Sequence, residues 1–296
     1  MRFTAVLLLI ASLLAAQEPT VFRSEVNFVR LLVTVKDRNG VAALVDKQNF
    51  RLQDNGVEQQ IAVFERYTSQ PLSVSILMDI SGSTGKESKY EVESIVRFTR
   101  ALFGEGNPDD RAALYTFNWE VTQKTSFTRS PQQIEKNLKG LKLEGGTSLY
   151  DAIWFASREL EDREGRHVVI VVTDGGDTTS SHTYHHALES LHRADSVIYS
   201  ILVMPITNDA GRNIGGENAL AGLAEGTGGR VFQPTAADLD HAFSEILREL
   251  RTQYLIGYYP KNIPPTKDRF HRVKLTVDKP GLRVQTRTGY YEGSGR

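Results

Sequence analysis

The spacing of apolar residues changes twice along the chain and divides it into three parts. In the first part, residues 17–70, Leu31, Val33 and Val35 stand two positions apart, as expected for a strand with one buried face. Asn and Gly occur together at 37–40 and at 54–56, where tight turns need positive backbone φ. This part is therefore predicted to be a small antiparallel β unit.

The middle part, residues 71–251, alternates apolar strand-like runs with helical spacing. The run Leu72–Ile80 is nearly continuous, which is typical of a strand buried on both faces of a parallel sheet. Further strands are predicted at Ala112–Phe117, His167–Thr173 and Val197–Met204, and helices at Val92–Phe103, from Leu149, and at Leu239–Leu250. The alternation predicts an α/β fold, a doubly wound and mostly parallel sheet with helices on both faces.

In the last part, residues 252–296, the period returns to two, with Val273, Leu275 and Val277 on one face. Neither terminal β segment is large enough to bury a core alone. We therefore expect residues 17–70 and 252–296 to pack together as one discontinuous all-β sandwich-like domain, with the α/β unit inserted between them.

The first sixteen residues have the layout of a secretory signal peptide. Arg2 precedes an apolar stretch, Ala5–Ala16, which is too short to span a bilayer. The expected location is outside the cytoplasm, in the periplasm, in the cell envelope or secreted, without membrane insertion after cleavage. The chain has no cysteine, which excludes disulfides and thiolate-ligated zinc.

Composition and charge narrow the function classes. The chain is 40% hydrophobic and 24% charged, close to an ordinary soluble globular protein. The formal net charge of -1 gives no reason to expect binding to nucleic acid. An anionic partner would have to be bound at a local site.

Three predicted loops carry oxygen-bearing side chains. Asp79, Ser81 and Ser83 follow the first buried strand, Thr147 precedes a helix, and Asp174 ends a later strand. Because the carboxyl ends of neighbouring parallel strands share one edge, these loops are expected to converge. The helices that begin near Ser83 and Ser148 would direct their positive ends to the same place.

The predicted oxygen donors indicate which metal ion the site would bind. Carboxylates and hydroxyls without Cys or His suit a hard divalent cation, with Mg²⁺ preferred and Mn²⁺ or Ca²⁺ as alternatives. Two carboxylates at most balance the ion, so an open coordination position would attract an acidic group. A protein ligand that presents Asp or Glu is the expected partner.

These residues resemble a known family. Asp79-Ile80-Ser81-Gly82-Ser83, Gly145-Gly146-Thr147 and Thr173-Asp174-Gly175 are similar to the metal-ion-dependent adhesion site of von Willebrand factor A domains. The resemblance implies that Ser81, Ser83 and Thr147 bind the metal through their hydroxyls, and Asp79 and Asp174 directly or through water. The flanking segments, such as Gly289-Tyr290-Tyr291, are similar to exported bacterial proteins of the von Willebrand factor A-related group, many from Acidobacteria.

Other chemistry-bearing residues have simpler interpretations. His182 and His186 have the spacing of some zinc ligands, but no Glu stands between them in the His-Glu-x-x-His manner, and a solvated helix start is favoured. Ser81 and Ser83 lie in no Gly-x-Ser-x-Gly elbow, so nucleophilic catalysis is disfavoured. The tyrosines near the end of the chain are expected to pack in the sheet; they are Tyr254, Tyr258, Tyr259, Tyr290 and Tyr291.

Three functional classes follow. The favoured one is an extracytoplasmic, metal-dependent protein-binding or adhesion module without enzymatic activity. The first alternative is a scaffold or chaperone-like subunit of a bacterial envelope complex, and the second is a metal-assisted hydrolase.

Overall fold

The computed structural model describes residues 28–67, 69–81, 88–203 and 213–293. The predicted signal peptide, Ser83 and Met204 lie outside these ranges. Among the residues described, no helix combines the length and the apolar character needed to cross a membrane.

Fourteen strands and six α-helices are described. The strands are β1 (Val29–Lys36), β2 (Phe50–Asp54), β3 (Val57–Gln59), β4 (Ile61–Arg66), β5 (Leu72–Asp79), β6 (Arg111–Phe117), β7 (Val121–Thr128), β8 (Arg166–Thr173), β9 (Ser196–Leu202), β10 (Arg230–Phe232), β11 (Tyr254–Tyr258), β12 (Phe270–Val277), β13 (Arg283–Gln285) and β14 (Gly289–Tyr291). The helices are α1 (Ser88–Glu105), α2 (Pro131–Leu138), α3 (Leu149–Glu161), α4 (Tyr184–Arg193), α5 (Ile214–Thr227) and α6 (Leu239–Thr252).

The central sheet has six strands in the order β10-β9-β8-β5-β6-β7. The first five are parallel to one another, and β7 pairs antiparallel with β6 at one edge. Every residue of β5 and of β8 is buried, which accounts for their continuous apolar runs. The predicted doubly wound α/β fold is confirmed, while the antiparallel edge strand β7 was not predicted.

Helices cover both faces of this sheet. One face packs against α1, α2 and α6 through side chains such as Phe98, Ile134 and Phe243. The other face packs against α3, α4 and α5 through side chains such as Ile153, Leu191 and Leu220. The odd and even positions of each strand therefore serve two separate cores.

The terminal segments form two antiparallel sheets with a shared core. Their strand orders are β13-β1-β11-β4 and β14-β12-β2-β3, so each sheet combines strands from both ends of the chain. Leu31, Leu52 and Ile256 meet in the core between them. This confirms the predicted discontinuous β-sandwich. Of the tyrosines expected to pack in it, Tyr254, Tyr258 and Tyr290 are buried, whereas Tyr259 is 45% exposed.

Polar contacts join the sandwich to the α/β unit. Asp195, between α4 and β9, pairs with Arg30 at 3.4 Å and with Arg287 at 2.8 Å, and both arginines come from the sandwich segments. The buried Glu249 of α6 pairs with Lys36 of β1 and accepts the Tyr199 hydroxyl at 2.9 Å. The central sheet is thus attached to the sandwich along the α4 and α6 sides.

Candidate metal centre

The three predicted site loops meet at the carboxyl edge of the central sheet. Asp79 is the last residue of β5, where it lies beside Phe117 at the end of β6. On the other side β8 is in register with β5 and ends at Thr173, one residue before Asp174. Parallel pairing therefore brings Asp79 and Asp174 together although 94 residues separate Asp79 from Thr173.

Backbone hydrogen bonds hold the third loop against the other two. The Glu144 amide donates to the Ile80 carbonyl at 3.2 Å, which makes a bridge between Ser81 and Glu144. Three residues later the Thr147 carbonyl accepts the Thr178 amide at 2.8 Å. The loop that carries Thr147 is thus fixed between the loops that follow β5 and β8.

Asp79 is fully buried at this edge. Its Oδ2 accepts a hydrogen bond from the Thr173 hydroxyl at 2.6 Å, and its Oδ1 accepts the Ser81 amide at 2.8 Å. Burial raises the pKa of Asp79 to about 6; the Thr173 and Ser81 hydrogen bonds lower it, and the charge of Asp174 raises it further. The neighbours of this carboxylate in the described part of the chain are thus hydroxyls, an amide and a second carboxylate.

That environment fits a bound cation. A buried carboxylate is stabilised by an opposite charge nearby, and the neighbours named above supply none. Ser81 is 4% exposed and Thr147 is 8% exposed, so both residues are also largely shielded from bulk water. The donor chemistry is that of a small, hard divalent ion.

No group of three or more His, Cys, Asp or Glu side chains is placed to hold a metal within the described ranges. The predicted donor set has a different composition, since only Asp79 and Asp174 are acidic. The structure places Asp79, Ser81, Thr147 and Asp174 at one edge, and Ser83 lies outside the described residues. The assignment of these five as metal ligands stays a prediction.

Thr173 is a site residue that the sequence reasoning missed. Its hydroxyl donates to Asp79 and also accepts the Gly175 amide at 3.2 Å, so it ties the β8 loop to the β5 carboxylate. The signal was present, because Thr173 directly precedes Asp174 in the Thr-Asp-Gly segment.

The first-turn amides of α3, the helix expected to direct its positive end to the site, already have hydrogen-bond partners. The Tyr150 amide donates to Asp177 at 3.2 Å, and the Asp151 amide donates to the Ser180 hydroxyl at 3.1 Å. These first-turn donors are used by the loop after β8. They lock that loop in place, and an added anion would have to displace Asp177 to reach them.

Glycines allow the loops to approach one another. Gly146 has φ +85°, and a Cβ there would stand 2.9 Å from the Trp119 Cβ. A Cβ on Gly216, in the first turn of α5, would stand 2.4 Å from the Gly176 Cα. Both positions exclude larger residues, so the glycines fix the positions of Trp119 and of the α5 amino end relative to the site.

The histidines after the Asp174 loop lie at the start of α4, as expected, and His182 also makes side-chain contacts. The His182 ring stacks on Trp154 at 4.3 Å, and its Nδ1 lies 2.7 Å from Asp151 Oδ1. His186 and Thr183 form the capping box of α4. Both histidines line a cavity of about 340 Å³ between α3 and α4, on the flank of the unit.

Comparisons with known proteins identify the α/β unit. Residues 74–176 match the family model of the von Willebrand factor type A domain. No curated protein sequence matches the chain significantly.

The chain is also similar to solved structures. The von Willebrand factor domain of the type V pili tip protein Mfa5 from Porphyromonas gingivalis is 14% identical, with a TM-score of 0.50, over 61% of this chain and 95% of that one. Proximal thread matrix protein 1 from the mussel byssus is 18% identical, with a TM-score of 0.51, over 67% of this chain and 51% of that one. The PilB minor pilin from Streptococcus sanguinis is 13% identical, with a TM-score of 0.48, and the match covers 62% of each chain.

The narrower resemblance to exported bacterial proteins stays a prediction. Residues 74–176 thus match the von Willebrand factor type A domain, and the α/β unit shares the fold of such a domain.

Proposed function

We propose that this chain is an extracytoplasmic protein-binding module whose von Willebrand factor type A domain holds a divalent cation, with Mg²⁺ preferred. The proposed ligands are Asp79, Ser81, Ser83, Thr147 and Asp174. An Asp or Glu side chain of a protein partner would complete the coordination of the ion.

The environment of Asp79 carries this proposal. A fully buried carboxylate is destabilising unless a cation or several donors offset the loss of hydration. Here a second carboxylate, Asp174, adds to the negative charge. A divalent cation would offset both charges, and two carboxylates would not over-neutralise it, which leaves it attractive to a third acidic group.

One further observation favours binding over catalysis. The similar structures belong to a pili tip protein and a thread matrix protein. A protein-binding role outside the cytoplasm fits both.

Calorimetric titration of the full chain with Mg²⁺ tests the proposed site. We expect one ion to bind per chain, and we expect Asp79→Asn and Thr147→Ala to abolish binding because each removes a proposed ligand. The matched control is Asp110→Asn. Asp110 is a buried aspartate at the opposite, amino edge of the same sheet, where it accepts the Leu72 amide at 2.8 Å.

Asp110→Asn should bind Mg²⁺ as the wild type does. The absence of Mg²⁺ binding by the wild type would refute the proposal, as would equal binding by wild type and Asp79→Asn.

A further inference from the structure

The buried hydroxyl of Thr173 contacts two parts of the candidate metal centre. Thr173 is 0% exposed, so bulk water does not reach this hydroxyl. It donates its one proton to Asp79 Oδ2 at 2.6 Å, and its oxygen accepts the Gly175 amide at 3.2 Å. The hydroxyl is therefore held in one orientation, between the carboxylate at the end of β5 and the backbone directly after Asp174.

Each carboxylate oxygen of Asp79 accepts a hydrogen bond from a different part of the chain. The Ser81 amide, which follows β5, donates to Oδ1 at 2.8 Å, and the Thr173 hydroxyl, at the end of β8, donates to Oδ2. Rotation of the carboxylate group would break at least one of these two bonds. The plane of the Asp79 carboxylate is thus set by the protein itself.

The same hydroxyl holds two like charges near each other. Asp174 lies close enough to Asp79 for its charge to raise the pKa of that carboxyl group. Thr173 bonds to Asp79 directly and to the backbone after Asp174 through the Gly175 amide. Hydrogen bonds that orient metal-binding carboxylates typically change metal affinity by about 10–100-fold. Loss of the Thr173 hydroxyl should therefore weaken the binding of an ion that depends on this arrangement.

Divalent ions differ in how they use a carboxylate. Ca²⁺ takes more oxygen ligands than Mg²⁺ and often binds both oxygens of one carboxylate, whereas Mg²⁺ requires a compact octahedral arrangement. An ion that bound both oxygens of Asp79 would compete with the Ser81 and Thr173 hydrogen bonds at once. An ion that used one oxygen, directly or through water, would leave at least one of these bonds intact. The fixed carboxylate therefore favours the smaller ion.

We propose, on the basis of the function proposed above, that Thr173 is a positioning residue that makes the metal centre select Mg²⁺ over Ca²⁺. Its hydroxyl occupies the Asp79 oxygen that Ca²⁺ would need in order to bind both oxygens. Thr173 acts through Asp79 and not as a ligand, since its own hydroxyl is already shared between Asp79 and the Gly175 amide.

Calorimetric titrations of the full chain with Mg²⁺ and, separately, with Ca²⁺ test this selectivity. The wild type should bind Mg²⁺ more tightly than Ca²⁺. Thr173→Val keeps the branched shape of the side chain and removes the hydroxyl, so its affinity for Mg²⁺ should fall about tenfold. Its affinity for Ca²⁺ should stay within about threefold of the wild type, because the released Asp79 oxygen becomes available to the larger ion.

Thr173→Ser provides the rescue. It restores the hydroxyl and should keep the preference of the wild type for Mg²⁺, which a role of Thr173 in packing alone would not predict. Thr173→Ala serves in place of Thr173→Val if the valine variant does not fold.

Thr227→Val is the matched control. Thr227 is a buried threonine at the carboxyl end of α5, and its hydroxyl likewise accepts a backbone amide, that of Ile198 at 3.1 Å, and donates to the Leu223 carbonyl at 2.9 Å. Its substitution removes the same kind of hydrogen bonds from a different part of the unit. Thr227→Val should bind both ions as the wild type does.

The two proposals fail in different ways. If the wild type binds Mg²⁺ but binds Ca²⁺ as tightly, or if Thr173→Val keeps the preference of the wild type, the role of Thr173 is wrong and the metal site stands. An equal loss of preference in Thr173→Val and Thr227→Val would also overturn that role. If neither ion binds the wild type, both proposals are wrong.

Discussion

Asp54 and Asp79 are both fully buried, and their surroundings differ. Asp54, in the β-sandwich, accepts the hydroxyls of Tyr258 and Tyr290, each at 2.7 Å, and lies 3.2 Å from His271 Nδ1. Asp79, at the edge of the central sheet, accepts from Thr173 and Ser81 and has a second carboxylate, Asp174, nearby.

The difference separates a structural carboxylate from a candidate ligand. Burial raises the pKa of Tyr258 and of Tyr290 well above the usual range, so both phenols remain protonated donors to Asp54. The hydrogen-bonding capacity of Asp54 is used within the protein. The negative charge of Asp79 is reinforced by its neighbour, which is the arrangement expected where an ion is to bind. Burial alone therefore does not identify a functional carboxylate.

The largest predicted effect concerns the structural aspartate. Asp54→Ala should lower the free energy of unfolding by about 3–5 kcal/mol, because two buried hydroxyls and a buried imidazole lose their common acceptor. Chemical denaturation of wild type and variant measures this. Asp54→Asn, which keeps one acceptor oxygen, should lose less. A loss below about 1 kcal/mol for Asp54→Ala would break the comparison, since Asp54 would then not be held by its neighbours.

A smaller effect on the free energy of unfolding is expected for a third buried titratable group. It lies between the α/β unit and the β-sandwich. His192 of α4 is 3% exposed and packs on Phe270 of the sandwich at 5.2 Å. Burial lowers the pKa of His192 to about 4, and the positive charge of Arg287 lowers it further. The neutral imidazole therefore contributes stability that is complete above pH 6.5, the ordinary histidine value, and is lost as the pH falls to about 4.

The fall in the His192 pKa from 6.5 to about 4 corresponds to a loss of about 3 kcal/mol in the free energy of unfolding. His192→Gln does not titrate, so the difference in unfolding free energy between wild type and variant should change by about this amount between pH 7 and pH 4. Denaturation at a series of pH values measures it. A difference that does not vary with pH would show that His192 is not buried in its neutral form at this junction.

The smallest effect on the free energy of unfolding is expected when Asp79 is substituted in the absence of metal. Its sign is opposite to that of the effect of substituting Asp54. In EDTA, Asp79→Asn should be about 1 kcal/mol more stable than the wild type, because the variant removes a buried charge that is repelled by Asp174. Chemical denaturation in EDTA measures the change. If Asp79→Asn instead loses several kcal/mol, both aspartates are structural and the distinction between them is wrong.

For the α/β unit, much of this arrangement could be predicted from the sequence. Asp79 and Asp174 follow apolar runs that only a parallel sheet buries, and the shared edge of such a sheet predicted their proximity. Gly146 directly precedes Thr147 in the sequence. The structure explains why glycine occupies this position, since its φ is positive and Trp119 approaches it closely.

The sandwich was predicted at the level of strands and not of contacts. Asp54 and Tyr258 are 204 residues apart, and nothing in the local pattern around either one indicates a hydrogen bond between them. Asp54 sits in a turn-forming Asp-Asn-Gly sequence, where Asp is common for local reasons. Pairings of this kind depend on the register of strands from distant parts of the chain.

The rim of the candidate site was also missed. Trp119 is a single aromatic residue in a short turn, so it belongs to no periodic pattern, and its position depends on β7 folding back along β6. That antiparallel return was not anticipated, because β7 is half-exposed and lacks the apolar run of its neighbours. The stacking of His182 on Trp154 was likewise not predictable, because Trp154 lies on α3, distant in the sequence.

The most direct test of the central claim is the melting temperature of the full chain as Mg²⁺ is added after treatment with EDTA. The melting temperatures of the wild type and of Asp110→Asn should rise by several degrees at saturating Mg²⁺. The reason is that an ion that binds only the folded state stabilises it by about 2.7 kcal/mol at one hundred times its dissociation constant. The melting temperature of Asp79→Asn should not change. No rise in the wild type, or an equal rise in wild type and Asp79→Asn, would contradict the account.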